Sequence, residues 1–442
     1  MSTVLSSSKR LRGRNPGAMG LRGLAAATPH LILRAGVQLL GGIVLDVALP
    51  ALVKVGSNIG ATYSSPLGNA ICGTTIATVI GYYFFRRLSH FPGTRGSSFI
   101  LPIFLASYGA VFVGLLFLRL NYARFQLLAS FLLCVAWFYC VYFTAEHLSG
   151  ITLALVPGGA TDTLKHVEGV RWIALEHPEA ELGTFGAVVA DLRADFGEGW
   201  ERFIADCAVS GVPVYHVKQV IESVTGRVEI ERLSENTFGS LIPNLAYVKA
   251  KEVIDRFVAL ILIPLLLPLF FFVAIAIRRD SRGPIFFRQT RTGFRGKPFT
   301  VFKFRTMTHV ETKVDDREAA QTQEDDHRIT RLGRTLRRYR IDELPQFLNI
   351  LRGEMSLIGP RPEALVLSKW YEVELPFYRY RHVVRPGITG WAQINQGHVA
   401  DVDRVKEKLH FDFYYIKNLS PWLDLLIALK TFYIVMTGFG AK

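Results

Sequence analysis

Five long apolar runs constrain this chain more than any other feature. Four open it, at residues 31–53, 67–85, 99–118 and 127–143, and the fifth lies at 257–277. A helix needs about 20 apolar residues to cross roughly 30 Å of hydrocarbon, and each run has about that length. In lipid every backbone N–H and C=O must be satisfied within the segment, so such runs fold as helices. A plain soluble enzyme and a disordered chain are both excluded.

The formal net charge of +14 over 442 residues resolves into +11 for residues 1–143, −7 for 144–250 and +10 for 251–442. In the first block the basic residues sit between apolar runs, where they read as topology rather than as a nucleic-acid footprint. Lys9, Arg10, Arg12, Arg14 and Arg22 precede the first run, in a segment too long and too poorly shaped for a signal peptide. Arg86, Arg87 and Arg95 follow the second run; Lys54, Arg119 and Arg124 occupy the other loops. This bias predicts a flexible cytoplasmic arm over 1–30, a four-helix transmembrane domain over 31–143 and a cytoplasmic remainder. Arg34 and Asp46 in the first run either snorkel or face a partner helix. A small transporter is the competing reading, and the scarcity of intramembrane charge and of internal repeats counts against it. Cys72, Cys134, Cys140 and Cys207 form no CxxC and no disulfide framework, which suits a reducing compartment.

The acidic block 144–250 has a soluble character. Strands are expected at 151–156, 170–175, 187–191 and 212–217, with a helix at 200–209, which describes a small α/β domain. Pro157-Gly158-Gly159 after the first strand is not a full dinucleotide fingerprint. A folded regulatory or assembly domain is therefore the simpler reading beside a nucleotide site.

The fifth run should not cross. Pro264 and Pro268 sit inside it, and basic residues flank both ends: Lys251 and Arg256 before, Arg278, Arg279 and Arg282 after. Interior prolines bend or break a helix, and positive charge on both sides suits a segment that enters and leaves on one face. The expectation is a re-entrant helix over 253–277, broken at its prolines. An ordinary proline-kinked span is the alternative.

The chemistry concentrates in residues 251–442. FTVFKFRTM at 299–307 predicts a strand with Lys303 and Arg305 on one face. Arg328, Arg331, Arg334, Arg337, Arg338 and Arg340 follow, with Arg331, Arg334 and Arg338 at helical spacing. Lipid headgroups or phosphate ligands suit this ridge; nucleic acid does not, since the ridge adjoins a membrane segment and lacks interleaved aromatics. A solvated face is the plain alternative. Asp342 and Glu343 come next, and Pro345 places a helix start there, running over 342–351. Adjacent helical residues diverge by about 100°, so the two acids should have different partners. A carboxylate near Arg337 and a helix N-terminus stays ionised, able to attack phosphorus or to ligate Mg²⁺. Gly359-Pro360-Arg361-Pro362 and the turn at 385–391 are rigid, the first presenting one arginine. Either could serve only to reverse the chain. The apolar stretch 422–436 reads equally as an interfacial helix or as core.

Together these motifs make the block 251–442 resemble the bacterial sugar transferases, that is, polyprenyl-phosphate hexose-1-phosphate transferases or monotopic phosphoglycosyl transferases. The resemblance rests on Asp255-Arg256 opening the apolar segment and KFRTM at 303–307. DELPQFLNILRGEMSLIGPRPE at 342–363 and RPGITGWAQ at 385–393 complete it. The preceding spans and α/β domain resemble the long members, whose middle domain is CoA-binding-like without necessarily binding CoA. The implied fold is a four-helix membrane domain, a cytoplasmic α/β domain over 144–250, and a mostly α (α+β) catalytic domain anchored by the re-entrant helix. The implied location is the bacterial inner membrane, with the catalytic domain on its cytoplasmic face.

The implied reaction passes a hexose 1-phosphate from a UDP-hexose to a polyprenyl phosphate in the bilayer, releasing UMP and opening a surface polysaccharide. By this resemblance Asp342 is the nucleophile and Glu343 helps hold Mg²⁺. Arg337 contacts phosphate, and Lys303, Arg305 and Arg361 lie in phosphate-binding motifs. Arg340 stands where many members have Ser or Thr. A catalytically silent scaffold of a polysaccharide machine is the remaining alternative, against which the acid pair is intact. A homodimer is compatible with the sequence, and no residue pattern selects it. Nothing in the sequence chooses the hexose.

Overall fold

A computed structural model of the chain describes residues 34–56, 65–89, 97–148, 152–166, 171–179, 185–230, 243–308, 328–396 and 402–437. The basic arm over 1–30 and Arg95 lie outside the described residues. The chain divides into two compact units, Met1–Gly226 and Arg227–Lys442. The boundary expected at residue 250 falls inside the second. Val228 N–H donates to the His410 carbonyl at 3.0 Å, and Arg227 pairs with Glu407.

In the first unit the apolar runs are helical. α1 (Ala35–Gly42) continues through a π-helical segment, Ile43–Ala48, into α2 (Leu49–Gly56). α3 (Ser65–Leu88), α4 (Ser97–Phe117) and α5 (Arg124–Leu148) follow. Asp46 is fully buried and faces partner helices. Thr78 of α3 donates to Asp46 Oδ2 at 3.0 Å and lies 3.0 Å from Tyr108 Oη of α4, which meets Ser130 Oγ of α5 at 2.8 Å. Each helix contributes one polar group, and in an apolar surround such hydrogen bonds hold helices together.

Four described helices are long and apolar enough to cross a membrane: Ala35–Val55, Phe99–Phe117, Arg124–Ala145 and Leu245–Asp280. These are not the expected four. The run at 67–85 does form a helix of spanning length, but Asn69, Thr74, Thr75 and Thr78 make it less apolar than the rest, with Thr74 and Thr78 turned inward and buried.

The same unit holds the α/β fold expected from the acidic block. β1 (Thr152–Leu155), β2 (Arg171–Ala174), β3 (Ala187–Ala190) and β4 (Val214–His216) form a parallel sheet in the order β2-β1-β3-β4. Successive strand residues point to opposite faces. α6 (Glu198–Val209) covers Ala154, Val188 and Ala190 on one face, and α7 (Val217–Thr225) covers Leu153, Leu155 and Val189 on the other. At the glycine turn the Asp191 carboxylate accepts the Ala160 N–H at 3.0 Å and packs on Gly159. An acid in that position does not suit a nucleotide phosphate.

The second unit is built on α8 (Leu245–Asp280), 36 residues long. Its helical course is not interrupted at Pro264 or Pro268. A proline removes one hydrogen bond but leaves those on either side, so a long helix can pass through it. α8 thus stays helical through both prolines, without the expected break. One side of α8 packs on the unit along nearly its whole length. Ala259, Leu262, Ile263 and Leu266 meet Val301, Leu344, Phe347 and Ile350; further on, Phe270, Val273 and Ile277 meet Phe304, Leu332 and Leu336. The other side, including Phe257, Leu260, Leu265 and Phe272, is exposed and apolar.

β5 (Phe286–Thr292) and β6 (Pro298–Phe304) form an antiparallel hairpin, and α9 (Arg331–Arg338) follows. Thr330 caps α9 by accepting the Gly333 N–H at 2.9 Å. Arg331, Arg334 and Arg338 are all exposed, as the spacing predicts. A 3₁₀ turn (Ile341–Gln346) leads into α10 (Phe347–Leu351), then β7 (Ser356–Ile358), α11 (Leu365–Glu374) and β8 (Gly387–Thr389), which pairs in parallel with β7. α12 (Trp391–Asn395), α13 (Val402–Lys417) and α14 (Pro421–Thr437) close the unit. In the stretch 422–436, Leu423, Leu426 and Ile427 are core, while Phe432 and Tyr433 are exposed.

Candidate active site

Strand β6, the 3₁₀ turn and the loop after β7 converge on Glu343. The turn is set against β6 by Asn349, which accepts the Phe302 N–H at 3.2 Å and donates to the Thr300 carbonyl at 2.7 Å. Pro345 lies within the turn, so the helix expected over 342–351 starts as 3₁₀ and becomes α at Phe347. Leu344, between the acids and Pro345, packs toward α8.

The two acids have different partners, as their adjacency demands. Glu343 Oε1 accepts from Lys303 Nζ at 2.8 Å and from Arg361 Nη2 at 2.6 Å. Burial alone would raise the Glu343 pKa, but Arg361, Lys303 and Arg340 outweigh it and hold the carboxyl well below its usual range. Asp342 is 8% exposed. Among the described residues none forms a hydrogen bond or ion pair with its carboxylate. Burial and the neighbouring Glu343 charge push its pKa up to about 6, against the opposing pull of Lys303, Arg361 and Arg337. The result is one carboxylate fixed as a charge and one held in reserve, ionising only near pH 6 and sterically unengaged. Such separation of a carboxyl pair is how one site assigns two roles.

Lys303 and Arg361 are thus brought to the pair. Arg337 lends its charge to Asp342 while donating Nε–H to Thr306 Oγ1 at 2.9 Å. Arg305 is not brought there. The strand ends at Phe304, so the alternation that would carry Arg305 to the face of Lys303 stops one residue short. Its guanidinium instead donates to the Ser281 and Arg282 carbonyls at 2.6 and 2.9 Å, at the end of α8. The turn at 385–391 does not reach the pair either. It pairs with the Gly359 turn, Ser356 facing Gly387 and Ile358 facing Thr389.

Sequence reasoning missed a second charged group, buried behind Arg361. Arg381 donates to the Arg361 carbonyl at 2.8 Å, to Asp412 Oδ2 at 2.8 Å and to Tyr378 Oη at 2.6 Å. Glu363 pairs with Lys408, and Arg291 donates to the Pro362 carbonyl at 2.6 Å. Burial would raise the Glu363 pKa, yet Lys408 and Arg381 hold it far below the usual range. These contacts grip the backbone on both sides of Arg361. Only Glu363 and the i, i+4 spacing of Lys408 and Asp412 offered a signal.

Among the described residues no cluster of three or more His, Cys, Asp or Glu side chains could cage a metal. Mg²⁺, however, is commonly held by one or two carboxylates with substrate phosphates and water. Glu343 Oε2 is buried and accepts no hydrogen bond. That orphaned oxygen beside Asp342 fits a cation shared with a phosphate ligand.

A family model described as bacterial sugar transferase matches residues 246–438. The chain is 42% identical over 402 residues to a UDP-N-acetylgalactosamine-undecaprenyl-phosphate N-acetylgalactosaminephosphotransferase of Aeromonas hydrophila, covering 91% of this chain and 94% of that protein. It is 43% identical over 195 residues to a UDP-glucose:undecaprenyl-phosphate glucose-1-phosphate transferase of Caulobacter vibrioides, covering 44% of this chain and 72% of the relative. A protein of the same description from Escherichia coli is 41% identical over 194 residues, 43% of this chain and 40% of the relative.

Proposed function

This chain belongs to the bacterial sugar transferase family, and from that premise we propose that it transfers a hexose 1-phosphate from a UDP-hexose to a membrane polyprenyl phosphate such as undecaprenyl phosphate. The observation that carries the reading is the unengaged Asp342, with its pKa raised to about 6, beside a Glu343 locked by Lys303 and Arg361.

The ionised Asp342 attacks the sugar-bearing phosphorus of the donor. A bond forms between its carboxylate oxygen and phosphorus, the bond to the bridging oxygen breaks, and UMP leaves with that electron pair. An oxygen of the polyprenyl phosphate then attacks the same phosphorus and frees Asp342. Two half-reactions through one covalent intermediate suit a donor that arrives from water and an acceptor that arrives from lipid. Lys303, Arg361 and Arg337 offset the charge that builds on the phosphoryl oxygens. Mg²⁺ would be held by Glu343 Oε2, with Asp342 adjacent, and when bound it neutralises phosphate charge as UMP departs.

The acceptor meets this site because the catalytic turn lies on α8. Both ends of α8 are held by the same unit: Asp255 accepts from Ser356 Oγ near one end, and Arg305 grips the carbonyls at the other. α8 has one face packed and the other apolar and exposed. Pro264 and Pro268 each remove a backbone hydrogen bond, and in this reading a bend there, with the helix otherwise kept, lets it dip into one leaflet and return. In this reading residues 253–277 are the re-entrant anchor, and the catalytic domain over 251–442 faces the cytoplasm from the inner membrane. The domain over 144–250 lies on the same side.

The test is UMP release from membranes holding the chain, with undecaprenyl phosphate, Mg²⁺ and a UDP-hexose panel. The panel begins with UDP-N-acetylgalactosamine, named in the relative that spans nearly the whole chain, and UDP-glucose. Turnover with one donor and a lipid-linked diphosphate sugar as product is expected. No UMP with any UDP-hexose would overturn the reading in favour of a silent scaffold.

A further inference from the structure

The two oxygens of Glu343 are unlike, and the difference involves a residue that the reaction above leaves unused. Oε1 is saturated by Lys303 and Arg361. Oε2 is buried without a hydrogen bond, and Arg340 Nη1 stands 3.5 Å away. That spacing is an ion pair but not a bonded one; charge-assisted hydrogen bonds close to about 2.7–2.9 Å. Arg340 is held there by the backbone. It begins the 3₁₀ turn, its carbonyl accepts the Glu343 N–H at 3.2 Å, and the i, i+3 relation puts both side chains on one face. Its φ of 55° is in the left-handed region that a long L side chain rarely adopts. Its side chain is 37% exposed, so it can leave toward solvent without crossing the packed core.

We propose that Arg340 is a displaceable place-holder for the divalent cation. It supplies positive charge to Glu343 Oε2 while the site is empty of substrate, and it swings away when a metal ion comes to that oxygen with the donor's phosphates. The inference rests on the reading of Glu343 as a cation ligand. A guanidinium 3.5 Å from Oε2 and a divalent ion bonded to it would repel each other at short range, so one excludes the other. The exchange ties metal entry to the arrival of phosphate and keeps a cation near Oε2, the one oxygen of Glu343 that Lys303 and Arg361 do not bond.

The test measures Mn²⁺ binding to the full chain in detergent, without nucleotide, by the electron paramagnetic resonance signal of the free ion. Mn²⁺ stands in for Mg²⁺. Arg340→Asn removes the charge and keeps a residue that tolerates left-handed φ; Arg340→Lys keeps the charge. For a part-exposed ion pair the expected gain in Mn²⁺ affinity for Arg340→Asn is about two- to fivefold, with Arg340→Lys close to the parent. Equal or weaker binding by Arg340→Asn, or no detectable binding by either protein, overturns the place-holder. Glu343→Gln separates the two levels. If it weakens Mn²⁺ binding while Arg340→Asn changes nothing, only the place-holder fails; if it leaves binding unchanged, the cation reading of Glu343 fails as well.

Discussion

Asp342 and Glu343 are neighbours with the same functional group, yet their surroundings drive them apart. Three cations hold Glu343 ionised, whereas Asp342 sits buried with no hydrogen bond or ion pair to its carboxylate among the described residues. The folded-state pKa of Asp342 is above its unfolded value of 3.8, so the stability it contributes is present at low pH and lost as pH rises from about 4 to about 6. At pH 7 the ionised carboxylate therefore costs stability. Asp342→Asn should abolish turnover and yet raise stability at pH 7 by about 1–3 kcal/mol, read as a higher thermal midpoint, with the advantage vanishing below about pH 4. A thermal scan in detergent at both pH values checks this; a variant less stable than the parent at pH 7 contradicts the burial argument. Because attack needs the ionised form, kcat should fall on acidification through about pH 6, where burial places the Asp342 carboxyl. A profile flat down to pH 5 would remove Asp342 from the role of nucleophile.

At the scale of elements, local pattern disclosed the strand at Lys303, the helical spacing of the arginines and a helical start at Pro345, which the structure renders first as 3₁₀, because each has its signal within a few residues. It did not disclose where elements end in space. Arg305 was out of reach, since one residue beyond the strand the chain turns and periodicity ceases to apply. The network behind Arg361 was out of reach because Arg381, Lys408 and Asp412 come from other elements and only tertiary contact assembles them. The 359 and 385–391 turns read equally as presenters of a basic side chain and as chain reversals; the φ values of their glycines are ordinary, and the demand is for space. A Cβ on Gly387 would overlap Gly359 N, and one on Gly390 would overlap the Gly359 carbonyl. The second turn buttresses the first, which carries Arg361. Gly387→Ala should destabilise the second unit by about 1–3 kcal/mol and lower kcat, as expected when backbone must move to admit a methyl group. Parent-like thermal midpoint and turnover would show that the two turns do not lean on each other.

At the scale of the whole molecule, hydropathy and charge distribution announced a membrane protein with a polar catalytic end. They were less able to rank the helices. α3 spends polar side chains on its neighbours and so drops below the apolar level of the others, while α8 is the longest apolar helix described and has a soluble face packed beneath it. Window hydropathy counts residues without knowing which side of a helix is covered, so it could not tell these two situations apart. If α8 returns to its own side, a reporter fused at the C-terminus should be active only as a cytoplasmic reporter, and Glu252 and Ser281, changed singly to Cys, should react with impermeant reagent from the same side. Opposite accessibility of the two positions would mean that α8 crosses.

The central claim, a covalent step at Asp342, is tested most directly by mass spectrometry of the intact chain after incubation with a UDP-hexose and Mg²⁺ in the absence of polyprenyl phosphate. The expected result is UMP released in proportion to protein, with a hexose phosphate adduct on the peptide carrying Asp342 that disappears when polyprenyl phosphate is added. UMP release that strictly requires the lipid acceptor, with no adduct at Asp342, would contradict it.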